Sequence, residues 1–585
     1  MQLGDVRLPA WIRQSRALSR ELSLSHREFL LLLVLFVCLR LSLLLISRPQ
    51  GYFYDASDYD FYLEFGRLAD RGLYPMLHYW TEYPPVFPWI SVAAYRAVEA
   101  LPTLNGSPIF WLRLALGSFL LLFDIGNLVL IYILGHAIHT PARAIRGAWM
   151  YSLLFTPLHV WLGWFDTMPL FFLLLAVTLG VKGRRDWASL AAGFGFMVKI
   201  LPALAFPTLL RAEQRPWAWV KMVGLATLAA ASVALPFLLA APQFLRASFQ
   251  SMFSRSPWET PWAIYEGYFG YGQVAPLQDR LDPSTAGYQA YESHLPWTAI
   301  GLGFAVLYLL LWWLSARRQD ARQGLNQVAF TGLSINLFLL FSKGYSPQFL
   351  VYLVPFVLLV VPPLRAVGYL SLLGVINLIE YPVYLALFRD QDWVLRDLVA
   401  MRTGILLLLT WEYLVALDLS PRLETIRQLV GVAAALLFLA WAVMALPQAG
   451  EKWAEASLQR HPDATLIDYL VANAGSQALV VFTDQGLYRE FYPYLHQRTN
   501  LLLVDPVQES GAASAVPPGP ATLQEKPDFA DQVREITEQY REVFGVRQLD
   551  DPRGRRLEQL LAQSSRLLSG RRVNDLTVTR WSTHW

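Results

Sequence analysis

The chain alternates long apolar blocks with short polar breaks. Phe29 to Ile46 and Phe119 to Leu134 are examples, each near the ~20 residues a helix needs to cross a hydrocarbon core of roughly 30 Å. Blocks of this kind span 28–46, 110–134, 148–164, 167–182, 187–210, 217–240, 297–314, 325–341, 347–361, 366–388, 398–417 and 429–446. Tryptophan and tyrosine gather at block ends, as at Trp161 and Trp164 or Trp312 and Trp313, where amphipathic rings anchor at the membrane interface. The block at 187–210 differs from the others. It holds Lys199 and Pro202 midway and Pro207 after them, a pattern that predicts a broken hairpin returning to its starting side.

Arginine sets the orientation. Arg7, Arg13, Arg16, Arg20 and Arg27 precede the first block, so residues 1–27 read as a cytoplasmic segment. The block is too long for a signal peptide, and Ser47-Arg48-Pro49-Gln50 is no cleavage site. If 187–210 does not cross, Arg143/Arg146, Lys182/Arg184/Arg185, Arg317/Arg318/Arg322, Arg365 and Arg422/Arg427 all fall inside. That leaves about eleven crossings and places the C-terminus outside. Two long loops, Ser47 to Ile109 and Ala241 to Pro296, then face outward. The expected fold is an α-helical polytopic membrane protein whose transmembrane domain covers 28–447. A small extracytoplasmic α/β domain over 448–585 follows, where the sequence turns polar after Pro447. In that tail 478–482 and 501–504 read as buried strands, 463–473 and 529–544 as helices, and 509–526 as a loop. Tyr488, Phe491, Tyr492 and Tyr494 read as a packed helix face rather than a binding surface.

Composition agrees: 55% of residues are hydrophobic and 16% charged, against about a quarter charged in soluble domains. Outside the membrane flanks no basic run is interleaved with aromatics, so nucleic acid is not an expected partner. Cys38 is the only cysteine, and lysines number six against a large excess of arginine. That bias suits a GC-rich prokaryote and a bacterial plasma membrane. No internal repeat is evident, which argues against a transporter.

The first outer loop carries the chemistry. Asp55, Asp58 and Asp60 lie within six residues, interleaved with Tyr52, Phe53, Tyr54, Tyr59, Phe61 and Tyr62. A solvated acidic loop is the plain reading, but the aromatics between the acids suit a binding site better. In an extended segment Asp58 and Asp60 share a side and Asp55 faces away. In a helix starting near Ser57, Asp58 and Tyr62 share a face instead. Glu82 follows, held before Pro84 and Pro85. Within the apolar blocks Asp124, Glu380, Arg402 and Glu412 are ionisable. A structural bridge from Arg402 to Glu380 or Asp124 is expected. His78, His159 and His294 have no metal-ligand spacing.

Asp58 four residues before Tyr62, then Gly72-Leu73-Tyr74-Pro75 and Glu82-Tyr83-Pro84-Pro85, resemble the first outer loop of the GT-C superfamily of membrane glycosyltransferases. The likeness is nearest to polyprenyl-phosphate-mannose-dependent mannosyltransferases. Gly163-Trp164-Phe165-Asp166, Lys199-Ile200-Leu201-Pro202 and Lys343-Gly344-Tyr345-Ser346-Pro347-Gln348-Phe349 fit the same pattern, over residues 28 to 390. The resemblance implies inverting transfer of a sugar, mannose foremost, from a polyprenyl phosphate to a lipid or glycan acceptor at the outer face. Asp58 would be the general base, with Asp55, Asp60 and Glu82 as alternative or supporting acids. Lys343 would bind the donor phosphate. Tyr62, Tyr83, Asp166 and Gln348 would position substrates. Protein cations can serve a monophosphate leaving group without a metal, though three carboxylates leave Mg²⁺ or Mn²⁺ open. Lys199 is expected on the cytoplasmic side, away from this chemistry. The competing functions are a flippase or transporter of lipid-linked sugars and a surface-polysaccharide polymerase or ligase.

Overall fold

The structure is a computed structural model that describes residues 26–46, 57–101, 109–316, 323–388, 391–418, 440 and, with short gaps, 464–583. The described residues fall into two compact units on either side of Trp441.

The first unit is helical. Seven of its helices are long and apolar enough to cross a membrane: α1 (Arg27–Ile46), α4 (Ile109–Ile138), α10 (Pro216–Ala240), α13 (Trp297–Ala316), α14 (Gln323–Phe341), α16 (Pro363–Leu378) and α17 (Asp392–Ala416). Shorter helices complete the bundle. The block at 148–164 is two pieces, α5 (Pro141–Leu153) and α6 (Phe155–Gly163), divided where Leu154 is extended. Pro157 in the first turn of α6 needs no hydrogen bond there. α7 (Thr167–Val181) and α15 (Leu350–Val360) follow the expected blocks. α16 runs into a π-helical segment, Ile379–Phe388, broken at Tyr381. The block at 429–446 lies outside the described residues except for residue 440.

The hairpin is present. α8 (Arg185–Phe196) is followed by a 3₁₀ turn, Leu201–Ala205, and by α9 (Phe206–Arg211). Its two feet meet: Arg185 pairs with Glu213 and donates to the Ala212 carbonyl at 2.8 Å. The apex corrects one expectation. The Val86 amide donates to the Met197 carbonyl at 3.4 Å, so the turn carrying Lys199 reaches the first outer loop. A 12-residue helix rises roughly 18 Å, which carries the middle of the block most of the way across.

The two long loops expected outside are themselves helical. The first contains α2 (Ser57–Asp70) and α3 (Val86–Val98). Gly72, at φ +77°, makes the left-handed turn after α2 that glycine enters freely. The second contains α11 (Pro242–Ser254) and the short α12 (Pro261–Tyr265). Arg402 pairs with Glu380 as expected, but Asp124 does not join them. It takes the Nε of Arg40 at 3.0 Å and the Tyr151 hydroxyl at 2.7 Å.

The second unit is a six-stranded sheet of order β3-β2-β1-β4-β6-β5, built from β1 (Ala478–Phe482), β2 (Asn500–Asp505), β3 (Thr522–Gln524), β4 (Glu542–Gln548), β5 (Arg566–Val573) and β6 (Leu576–Ser582). β3, β2, β1 and β4 are parallel, and β6 and β5 antiparallel. α18 (Ala464–Asn473), α19 (Phe529–Thr537) and α20 (Pro552–Ser564) accompany it. Separate apolar clusters form about Phe482 and Phe544 and about Val481 and Trp581. The helix expected over 529–544 stops at Thr537 and the chain then enters β4. β4 is a central strand buried at Val543, Phe544 and Val546. A strand apolar on both sides has the same sequence pattern as a buried helix. β3 likewise falls inside the expected loop 509–526. Tyr488 and Phe491 are buried, as a packed face requires; Tyr492 and Tyr494 lie outside the described residues.

Candidate active site

The helical alternative holds for the acidic loop. Asp58 and Asp60 lie in the first turn of α2, at the positive end of the helix dipole. Asp58 is half-buried and Asp60 exposed. The Tyr62 hydroxyl donates to Asp58 Oδ2 at 3.2 Å, one turn on. Asp55 lies outside the described residues. Tyr62 is fully buried and meets Phe87 edge-on at 4.9 Å, while Phe87 stacks on Phe165 at 3.9 Å. Tyr83 meets Phe165 edge-on at 4.9 Å. Burial pushes the Tyr62 and Tyr83 hydroxyls far above their ordinary range, and the negative charge of Asp58 and Asp166 adds to the rise in both. Both therefore remain hydrogen-bond donors at neutral pH.

Asp166, at the start of α7, is fully buried. Its Oδ1 accepts from Lys199 Nζ at 2.5 Å and from the Tyr352 hydroxyl at 2.7 Å. Its Oδ2 has no hydrogen-bond partner among the described residues. The Lys199 ammonium lies 5.0 Å from the Phe165 ring and 5.1 Å from that of Phe349. Lys199 thus sits with Asp166 and Tyr83 of the candidate site, against the expectation that put it on the opposite side from the first long loop. Gln348 is half-buried in the turn Pro347–Phe349, directly before that ring.

Glu82 is held by two arginines that sequence reasoning missed. Arg255 Nη2 lies 3.3 Å and Arg280 Nη2 3.6 Å from Glu82 Oε2. Both come from the second outer loop, about 170 to 200 residues further on. Arg280 is wedged between Phe61 of α2, at 4.9 Å, and Trp80, at 5.0 Å, and its Nε donates to the Ala275 carbonyl. Arg255 Nε and Arg280 Nη1 are buried without hydrogen-bond partners among the described residues. A signal for them was available. The positive-inside rule disfavours arginine in outward loops, so arginines placed there call for a reason.

Lys343 is half-buried. Its ammonium donates to the Phe253 carbonyl at 3.0 Å and lies 5.0 Å from the Trp297 ring. The cations that pair with the expected acids are instead Lys199, Arg255 and Arg280. The segment bearing Lys343 is tied to the second loop. The Trp258 amide donates to the Lys343 carbonyl, and the Tyr345 amide to the Trp258 carbonyl at 3.1 Å. A side chain at Gly344 would begin 2.2 Å from the Trp258 ring, so glycine alone fits. Beside this tie, Glu259 is buried at φ +49° next to Glu380 and Arg402. Burial foremost, with Glu380 nearby, raises its carboxyl well above the usual range.

No group of three or more His, Cys, Asp or Glu side chains suited to a metal occurs among the described residues. The arrangement offers a carboxylate at the site's edge, hydroxyl donors beside it, and buried cations with spare donors. Those are the parts for deprotonating an alcohol and stabilising an anionic leaving group.

Residues 83–342 match the family model of Glycosyltransferase family 87. The matched span holds Tyr83, Asp166, Lys199, Arg255 and Arg280, and Asp58 and Tyr62 precede it. No curated protein sequence matches significantly. Solved structures similar to this chain include the following two. One is the crystal structure of ArnT from Cupriavidus metallidurans in the apo state, at 15% identity over 94% of this chain and 97% of that one, with a TM-score of 0.35. The other is the Archaeoglobus fulgidus oligosaccharyltransferase in complex with Zn and sulfate, at 12% identity over 88% and 67%, with a TM-score of 0.28. On the family match, the chain is a membrane-embedded glycosyltransferase.

Proposed function

We propose that this glycosyltransferase is an inverting enzyme that takes a sugar, mannose foremost, from a polyprenyl-phosphate donor. It passes the sugar to a lipid or glycan hydroxyl at the outer face of a bacterial plasma membrane. The observation that carries the reading is the meeting of α2, with Asp58, and the paired arginines about Glu82, which Phe61 and Arg280 bring into contact.

In this reading Asp58 accepts the proton of the acceptor hydroxyl as its oxygen attacks the anomeric carbon. The bond from that carbon to the phosphate oxygen breaks, and negative charge grows on the departing polyprenyl phosphate. Arg255 and Arg280 have donor atoms to spare for that charge, and Lys343 supplies a third cation nearby in the second-loop tie. Tyr62 keeps the Asp58 carboxylate oriented. Asp166, Lys199 and Tyr83 form the floor of the site, and Gln348 contacts the sugar. Protein cations suffice for the leaving group, and the three acids of α2 and its approach keep Mg²⁺ or Mn²⁺ as an option.

A groove of about 400 Å³ supports a lipid-borne donor. Phe196, Met197, Ala231, Ala234, Leu238 and Phe249 line part of it. It opens along α10, one of two membrane helices, with α13, that have scarcely any buried surface, and Met197 also accepts the amide of Val86 at the site. An isoprenoid chain suits such an apolar channel.

The test is single-turnover transfer from labelled polyprenyl-phosphate mannose. Arg280→Ala and Arg255→Ala are each expected to slow transfer by about 10²-fold, the scale of one lost oxyanion-type contact. Unchanged transfer by both folded variants would remove the arginines from the leaving-group role.

A further inference from the structure

The C-terminal unit carries a concentration of arginine that sugar transfer does not use. From Arg553 to Arg572 the chain holds six arginines and one acid, Glu558. Glu558 is engaged by Arg547 at 3.0 Å. Arg555 donates to the Asp550 carbonyl, and Arg556 lies 5.9 Å from the Phe529 ring. The remaining cluster is on β5, where Arg566, Arg571 and Arg572 are all exposed. Arg571 leans over the Tyr469 ring at 5.4 Å.

β5 is an edge strand, paired among the described residues with β6 alone. Its register slips between Leu567 and Ser569, leaving Leu568 as an extra residue. Leu567 and Leu568 are 50% and 48% exposed. Charges on an edge ordinarily prevent strand pairing, and two adjacent exposed leucines work against that purpose. Exposed arginines flanking a bulged pair of leucines are instead the composition of a surface that lies on anionic lipid. An acidic glycan would match the arginines but leave the leucines in water. A partner strand would match the edge but make no use of three cations.

We propose that β5 is a membrane-surface contact. The strand meets the bilayer edge-on, so that Arg571 and Arg572, which point to opposite faces of the sheet, both reach anionic phospholipid headgroups with Arg566 while Leu567 and Leu568 reach the acyl boundary. The surface holds the C-terminal unit down on the bilayer by charge, independently of the reaction.

The experiment uses the full chain in liposomes, with Cys38→Ser and Leu568→Cys carrying an environment-sensitive fluorophore. Emission should shift to the blue in phosphatidylcholine–phosphatidylglycerol liposomes relative to phosphatidylcholine alone, and the shift should vanish at high salt. Arg566→Glu/Arg571→Glu/Arg572→Glu should abolish it, since three basic contacts account for about 10²-fold in partitioning. Hydrogen exchange on the unsubstituted chain is the companion measurement: amides of 566–573 should be protected in the anionic liposomes only. Equal emission and equal exchange in both lipids would overturn the proposal. So would protection in both lipids that ignores salt, which marks strand pairing. A blue shift produced in phosphatidylcholine by a soluble acidic polysaccharide would overturn it too, in favour of glycan binding.

Discussion

At the scale of single residues, the outer acids separate by their surroundings. Asp58 is half-buried under the Tyr62 hydroxyl, whereas Asp60 faces solvent. Asp58→Asn should fold and bind donor yet transfer sugar about 10²–10⁴-fold more slowly, the range for losing a general base. Asp60→Asn should stay within a few-fold of the parent. Collapse of Asp60→Asn with Asp58→Asn intact would exchange their roles. Lys343→Ala and Lys343→Arg address the third cation: alanine should slow transfer about 10²-fold and arginine should recover part of it. Normal turnover by Lys343→Ala would leave that ammonium to its contact with Trp297 as an interfacial anchor. Glu259 gives a pH prediction. Its carboxyl is raised above its unfolded value, so the folded chain holds a proton that the unfolded chain releases. Stability then falls as pH rises from about 4 upward. Glu259→Gln should flatten that slope, read as melting temperature in detergent at pH values on either side of neutrality. An unchanged slope would show that this carboxyl does not titrate with unfolding. Part of the candidate site was legible in residue types and spacing: Asp58 and Tyr62, four residues apart, share a helix face and a hydrogen bond. Arg255 and Arg280 were not, since their meeting with Glu82 depends on a contact across more than 170 residues.

At the scale of elements, the hairpin shows what periodicity conveys and what it leaves out. Prolines midway announce a break, and Arg317, Arg318 and Arg322, which stay inside only if the block does not cross, announce the return. The depth of the apex follows only from α8 being a continuous helix; without that length the sequence pattern puts Lys199 on the other face. In the tail the same limit separates α19 from β4, since a two-sided apolar strand carries no period of its own. The tie between the second loop and the Lys343 segment is the element most open to test. Gly344→Ala would drive a methyl group into the Trp258 ring, so the bridge from Trp258 to Gly344 must open. The variant should lose transfer by an order of magnitude or more while its membrane helices remain inserted, and Trp258→Ala in the same chain should relieve the clash. Full activity in Gly344→Ala would mean that the tie does not shape the site.

At the scale of the whole molecule, alternating blocks and arginine counts were enough to set out a polytopic helical bundle followed by an α/β unit. The sidedness they imply places the C-terminal unit outside. A reporter active only outside the cytoplasm, fused after Trp585, should be active, and an inactive but stable fusion would reverse that assignment. The central claim is chemical transfer rather than movement of a lipid-linked sugar across the bilayer, and one assay separates the two. Purified protein in liposomes is given labelled polyprenyl-phosphate mannose and an extract of envelope lipids and glycans. The label should appear in an acceptor with inverted anomeric configuration, with Asp58→Asn forming little product. Label that crosses the bilayer still attached to its polyprenyl phosphate, equally in the parent and in Asp58→Asn, would contradict the account.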